Sequence, residues 1–456
     1  MPVHHVIRRV GGEVGLGERR FAPGHLGELT QIVSFEMVDA ALAATRAVQH
    51  RVRDVPSRVV VYLLLAGCLF PEVGYLGVWR KLTAGLRGVP AATPSASALA
   101  QARRRVGPSP LRWLFELLRG PAAVPRQHGT WWRGLLVCAI DGTTLTVPDQ
   151  PAVGQRFTNQ AGNHGGTGYP QLRLVALVAC GTRSLIDAVF GPTTTGETTY
   201  APQLLSSLRS GMILLADRNF AAQSLIKDIT AAGAHVLVRC KTGRRLPVLA
   251  RYRDGSYLSL LGTVQVRVIE AQITVQTSAG RRTGVYRLAT SLLDPHTYPA
   301  GEVIWLYHER WEIETAYLEL KSTMLGGRVL RARTPAGIEQ EVYALLITYQ
   351  LLRTAIADAT ATRPCLDPDR ASFTIAWQTA RDQLVQAADV IAGTVIDLIG
   401  TIGTHVLAAP LPARRTRVCP RIVKRAISKY QARGPNIDRA SYKATLNIDI
   451  LTGAPP

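Results

Sequence analysis

A chain of 456 residues with 47% hydrophobic side chains is neither a disordered polymer nor one ordinary domain, and about two to four folded units are expected. Its 53 basic residues against 32 acidic ones leave a net charge of +21 and an isoelectric point near 10.3, a balance suited to a polyanionic partner, with nucleic acid the first candidate. Six scattered cysteines form no CxxC pair, so neither a zinc site nor a disulfide framework is suggested.

In chain order, residues 1–125 read as a helical domain with amphipathic stretches near Phe35 to His50, Val59 to Phe70 and Ser95 to Arg119. The most apolar run, VVVYLLLAGCLF from Val59 to Phe70, falls short of the ~20 residues of a membrane span and reads as a core helix. No signal-type apolar stretch follows MPVHHVIRRVGGEVG, so a cytoplasmic protein with no membrane partner is expected. The segment TPSASALAQARRRVGPSPLRWLFELLRG starts on a serine, carries Arg103, Arg104 and Arg105, and breaks at Gly-Pro. It reads as a helical hairpin with a basic edge, as readily a solvated face as a DNA contact.

After Gly129 the texture changes. LLVCAI ends at Asp141, TLTVP follows, LRLVALVACG and SLIDAVF read as two more strands, and a helix starts near Glu197. MILLA is a short buried strand ending at Asp217, followed by the helix AAQSLIKDITAAG and the strand HVLVRC. Strands that cluster and then alternate with helices predict an α/β domain over 130–355, interrupted at about 241–295 by a β-only insertion. Residues 356–456 read as a helical C-terminal region with a basic tail, ARRTRVCPRIVKRAISKYQARG, in which Arg414 and Arg415 head a run suited to tracking a DNA backbone.

Within YHERWEIETAYLELK, a uniform helix of roughly 100° per residue puts Tyr307, Arg310, Glu314 and Lys321 on one inward stripe and sends Glu309, Glu312 and Glu319 to solvent. Asp141 and Asp217 end predicted strands, where α/β sheets place their sites. Taken singly, each acid has an ordinary reading: Asp141 as a turn residue before Gly142, Asp217 as a helix N-cap, Glu314 as the partner of Arg310. If the three converge, oxygen-only ligands suit Mg²⁺ or Mn²⁺.

The spacing Tyr307, Arg310, Glu314, Lys321 fits Y-x2-R-x3-E-x6-K, and DGT and ADRNF stand upstream in order. In these motifs, and in GHLGELTQIVSFEMVDAAL and PSRVVVYLLLAGCLFPEVGYLGVWRKL, the chain resembles the IS4 family of DDE transposases. Asn219 stands where that family often has glycine, and asparagine tolerates left-handed backbone angles. The resemblance implies an RNase H-like catalytic core with a β insertion before the glutamate, and two Mg²⁺ or Mn²⁺ ions held by Asp141, Asp217 and Glu314. It further implies Tyr307, Arg310 and Lys321 as phosphate contacts within the catalytic set. Implied partners are double-stranded DNA, as terminal inverted repeats and target, and a second copy of the chain in a synaptic homodimer. A nucleoid-associated bacterial protein is implied as well.

Overall fold

In the computed structural model, which describes residues 24–451 apart from 52, 87–90, 126, 160–167, 242, 279, 364, 387–398, 413–416 and 419–441, the described residues before Leu118 are mostly helical. They form α1 (Phe35–Ala44), α2 (Ser57–Leu69), α3 (Tyr75–Thr83), α4 (Ala96–Val106) and α5 (Ser109–Leu118). Ser34 and Ser95 cap α1 and α4 by accepting from the amides of Met37 and Ala98, satisfying donors that a helix start leaves open. The apolar run expected to be a core helix is α2, buried from Val59 to Leu69. Among the described residues no helix is long and apolar enough to cross a membrane.

The chain divides into two compact units: 1–124 with 145–156 and 317–411, and 125–144 with 157–316 and 412–456. The second is built on five strands: β1 (Leu135–Thr146), β2 (Gln171–Ala179), β3 (Leu185–Pro192), β4 (Met212–Ala216) and, after the helix α6 (Gln223–Ala231), β5 (His235–Cys240). They lie in the order β3-β2-β1-β4-β5. β2 and β3 are antiparallel, while β1, β4 and β5 run parallel. This is the RNase H-like arrangement. Where they pair, the three parallel strands are continuous apolar runs, Leu135–Ile140, Met212–Ala216 and Val236–Val238, buried on both faces as parallel strands between layers must be.

The β insertion follows as β6 (Ala250–Arg251), β7 (Tyr257–Leu261), β8 (Val264–Thr277) and β9 (Gly280–Thr290), extending the sheet antiparallel from β5 through β9. The C-terminal strand β10 (Thr445–Ile450) also pairs with β8. Arg267, fully buried on β8, donates to Ser256 Oγ at 2.8 Å and pairs with Asp254, which ties the insertion together.

The YHERWEIETAYLELK segment is not one uniform helix. It runs through α7 (Ala300–Tyr307), a 3₁₀ turn at His308–Arg310, α8 (Trp311–Leu318) and a π turn at Glu319–Met324. Each change of helix type resets the angular step, so the expected stripe breaks up. Tyr307 and Arg310 are buried, but the Glu314 side chain is 43% exposed. Glu312 and Glu319, expected in solvent, are buried instead: Glu312 accepts from Arg183 Nε at 2.6 Å and Glu319 pairs with Arg353. Trp311 and Leu318, apolar residues on the same segment, are exposed.

In the first unit, the long helix α9 (Pro335–Ala361) packs on α2 and α5, followed by α10 (Phe373–Gln386) and α11 (Gly400–Ala408). Arg331 knots this unit, donating to the carbonyls of Gly67 (2.9 Å) and Val73 (3.1 Å) and pairing with Glu341. The Tyr75 ring lies against two guanidinium groups, Arg331 at 4.6 Å and Arg103 at 3.8 Å.

Candidate active site

Two of the three acids are placed by register. Ile140 of β1 and Ala216 of β4 form the last pair of a parallel ladder, so Asp141, midway along β1, and Asp217, just past the end of β4, are the next positions side by side, about 4.8 Å apart along the hydrogen-bonding direction. Asp141 Oδ1 accepts from the Gly142 amide at 2.8 Å. Asp217 Oδ1 accepts from the Asn219 amide at 2.7 Å and caps the 3₁₀ turn Arg218–Phe220, so the capping geometry coexists with its place beside Asp141.

The third acid is joined through Arg310. Its guanidinium donates to Asp141 Oδ2 at 3.3 Å and to Glu314 Oε1 at 3.1 Å, a bridge between β1 and the late helix. Tyr307 donates its hydroxyl to the Ala216 carbonyl at 3.1 Å, fixing the backbone immediately before Asp217. Lys321 is half-buried in the π turn Glu319–Met324. Of the N-terminal basic trio, Arg103 lies on Tyr75, Arg105 donates to the Val55 carbonyl at 3.3 Å, and Arg104 is exposed. Arg414 and Arg415 lie outside the described residues.

The sequence reading missed Glu197. A Cβ on Gly142 would come within 2.4 Å of the Glu197 carboxylate, which also lies 3.7 Å from Arg173. A side chain at position 142 would therefore displace the end of Glu197. The DGT triplet was the available signal, but nothing local named the residue that fills the gap.

Burial is the main cause pushing the Asp141 carboxyl up to about 7. The Gly142 amide and Arg310 pull it down, while Asp217 and Glu314 push it further up. Asp141, Asp217 and Glu314 offer hard oxygen donors with no thiolate or imidazole among them, two of them sharing the Arg310 guanidinium, a donor type that suits a divalent cation such as Mg²⁺ or Mn²⁺. Because the folded carboxyl holds its proton to a higher pH than the unfolded one, its ionisation destabilises the metal-free fold as pH rises from about 4 through 7, by at most on the order of 4 kcal/mol. Asp141→Asn cannot ionise. In EDTA it is expected to melt higher than wild type at pH 8 and close to wild type at pH 4, and thermal unfolding at the two values checks this.

Adjacent aspartates where the parallel ladder of a 3-2-1-4-5 sheet ends, with a glutamate tied to them from a late helix, define the DDE class of RNase H-like proteins. Residues 23–116 match the family described as Insertion element 4 transposase N-terminal, and residues 132–351 match the Transposase DDE domain. The chain belongs to the IS4 family of DDE transposases. Transposase InsG for insertion sequence element IS4 of Escherichia coli strain K12 is 28% identical over 412 residues, which are 87% of this chain and 91% of that protein. Putative transposase InsZ of the same strain is 32% identical over 140 residues, 30% of this chain and 47% of that protein. Among solved structures, the piggyBac transposase in a synaptic complex with hairpin DNA aligns with a TM-score of 0.42 at 11% identity, over 89% of this chain and 87% of that chain.

Proposed function

We propose that this protein is a cut-and-paste transposase that binds terminal inverted repeats, cleaves the element ends and transfers the freed 3′-hydroxyl to target DNA, working as a homodimer in the synaptic complex. The observation that carries the reading is the Arg310 bridge, which ties Glu314 to the strand positions where Asp141 and Asp217 lie in register. Asp141, Asp217 and Glu314 would hold two Mg²⁺ or Mn²⁺ ions. Bound there, the ions supply Lewis acidity to the attacking and leaving oxygens. The chain's own residues arrange the rest: Arg310 sets the separation of Asp141 and Glu314 and limits their mutual repulsion, and Tyr307 holds the backbone beside Asp217. Glu314, 43% exposed, is the acid open to a substrate arriving from solvent.

Incubation of the protein with Mg²⁺, a duplex carrying the element's ends and a target plasmid tests the reading. Release of the end followed by its covalent joining to the plasmid is expected. Cleavage without joining would make the protein a metal-dependent nuclease, and end binding without cleavage would make it a non-catalytic descendant of a transposase.

The DNA-binding role proposed for Arg103, Arg104 and Arg105 divides within the trio. Arg103→Ala removes the stack on Tyr75 and is expected to cost about 1 to 2 kcal/mol of stability. Arg104→Ala, at an exposed position, should leave stability within about 0.5 kcal/mol while lowering the salt dependence of duplex binding by roughly one counterion. Chemical unfolding and binding titrations across salt concentrations separate the two effects. The basic tail with Arg414 and Arg415 is proposed as a second, sequence-independent contact with the DNA backbone.

A further inference from the structure

The row of charged residues set by the parallel register extends one strand beyond the two aspartates. Ala216 of β4 pairs with Val238 of β5 in a parallel ladder, so the next position on each of three adjacent strands gives Asp141, Asp217 and Arg239. Arg239 follows the buried run Val236–Val238 of β5 and is itself half-buried, paired with Leu288 of β9.

Its guanidinium carbon lies 3.9 Å from the centroid of the Tyr286 ring, on β9. Among the described residues no carboxylate or carbonyl accepts a hydrogen bond from its side chain. Three other arginines of this unit have protein partners, Arg310 with Asp141 and Glu314, Arg287 with Glu270 and Arg244 with the Ala221 carbonyl, while Arg218, next to Asp217, is exposed to solvent. Asp217, its strand neighbour, turns an oxygen to the Asn219 amide. The ring therefore holds the half-buried cation while its donors stay available. Tyr307 donates to the carbonyl of Ala216, the residue paired with Val238, so its hydroxyl reaches the same row of strand positions.

A planar, permanently charged fork with open donors beside a carboxylate cluster suits an oxyanion that carries its own charge into the site. We propose that Arg239, held by Tyr286, binds a phosphate of the DNA strand next to the one being cut, and so sets which phosphate of the strand meets Asp141, Asp217 and Glu314. This rests on the transposase reading above.

The test uses the full-length protein and duplexes carrying an element end, with a single neutral methylphosphonate moved one phosphate at a time around the cut. Affinity is read in Ca²⁺ and cleavage in Mg²⁺. In wild type, neutralising one particular phosphate beside the scissile one is expected to weaken binding about tenfold, the loss of one charge-assisted contact. Arg239→Met, which keeps the alkyl stack on Tyr286, should bind the all-phosphate duplex about tenfold more weakly, show no further loss at that one position, and keep the wild-type losses elsewhere. Arg239→Lys should recover part of the affinity, and Tyr286→Leu should fall between. If Arg239→Met, melting like wild type, bound and cut at wild-type levels, or lost affinity additively at every position, the proposal would be overturned. Asp141→Asn on the same duplexes tests the acid site separately, because the binding scan does not require cleavage.

Discussion

Glu314→Gln and Asp141→Asn are each expected to lower end cleavage by on the order of 10³-fold or more, equivalent to about 4 kcal/mol of lost transition-state stabilisation, while duplex binding stays within about twofold of wild type. An amide keeps the shape of the side chain but surrenders the charge that a divalent ion needs. The binding surface is another matter, since net charge rises by one on a protein already at +21. The usual objection to such mutants, that they unfold, runs the wrong way for Asp141. Burial holds its carboxyl near 7, so the amide removes a cost that the metal-free protein carries at neutral pH. An Asp141→Asn protein that melts higher and does not cut has lost chemistry rather than structure. Cleavage by either variant at a tenth or more of the wild-type rate would take that residue out of the metal site.

The sheet was readable because its strands are apolar runs that stop at charged or turn residues. LLVCAI and MILLA both stop at an aspartate, and the parallel register then aligns the two stops. The late helix was less so. A constant step of roughly 100° assumes one helix type, whereas this segment passes from α to 3₁₀ to α to π between Ala300 and Met324. Spacing still identified Arg310 and Glu314 as partners four residues apart, because that pairing is local. Which face they share was decided by groups far away in sequence: Arg183 receives Glu312, and Arg353 receives Glu319. Glu197 and Arg239 escaped notice for the same reason. Their importance lies in what stands next to them, Gly142 for one and Tyr286 for the other, and no periodicity within their own elements announces it.

The Arg183–Glu312 pair yields the largest expected loss of stability. Arg183 follows β2 in a tight turn with a φ of 55°, and its side chain is 10% exposed against 1% for Glu312. Two charges so far from water are worth having only together: the ion pair offsets a desolvation cost of several kcal/mol per ion, and removal of one partner leaves that cost standing. Glu312→Gln and Arg183→Met are therefore each expected to destabilise the protein by about 3 to 5 kcal/mol, because each leaves the other charge buried without its partner. The double variant should be milder than Glu312→Gln alone, since no buried charge remains. Urea unfolding of the four proteins gives the cycle directly. Cleavage should fall as well, because Glu312 anchors α8 two residues before Glu314, and that loss should recover in part in the double variant as the helix is re-seated. A Glu312→Gln protein within about 0.5 kcal/mol of wild type, the range of ordinary surface substitutions, would mean that Glu312 faces solvent and that the helical phase drawn from Tyr307 onward is the correct one after all.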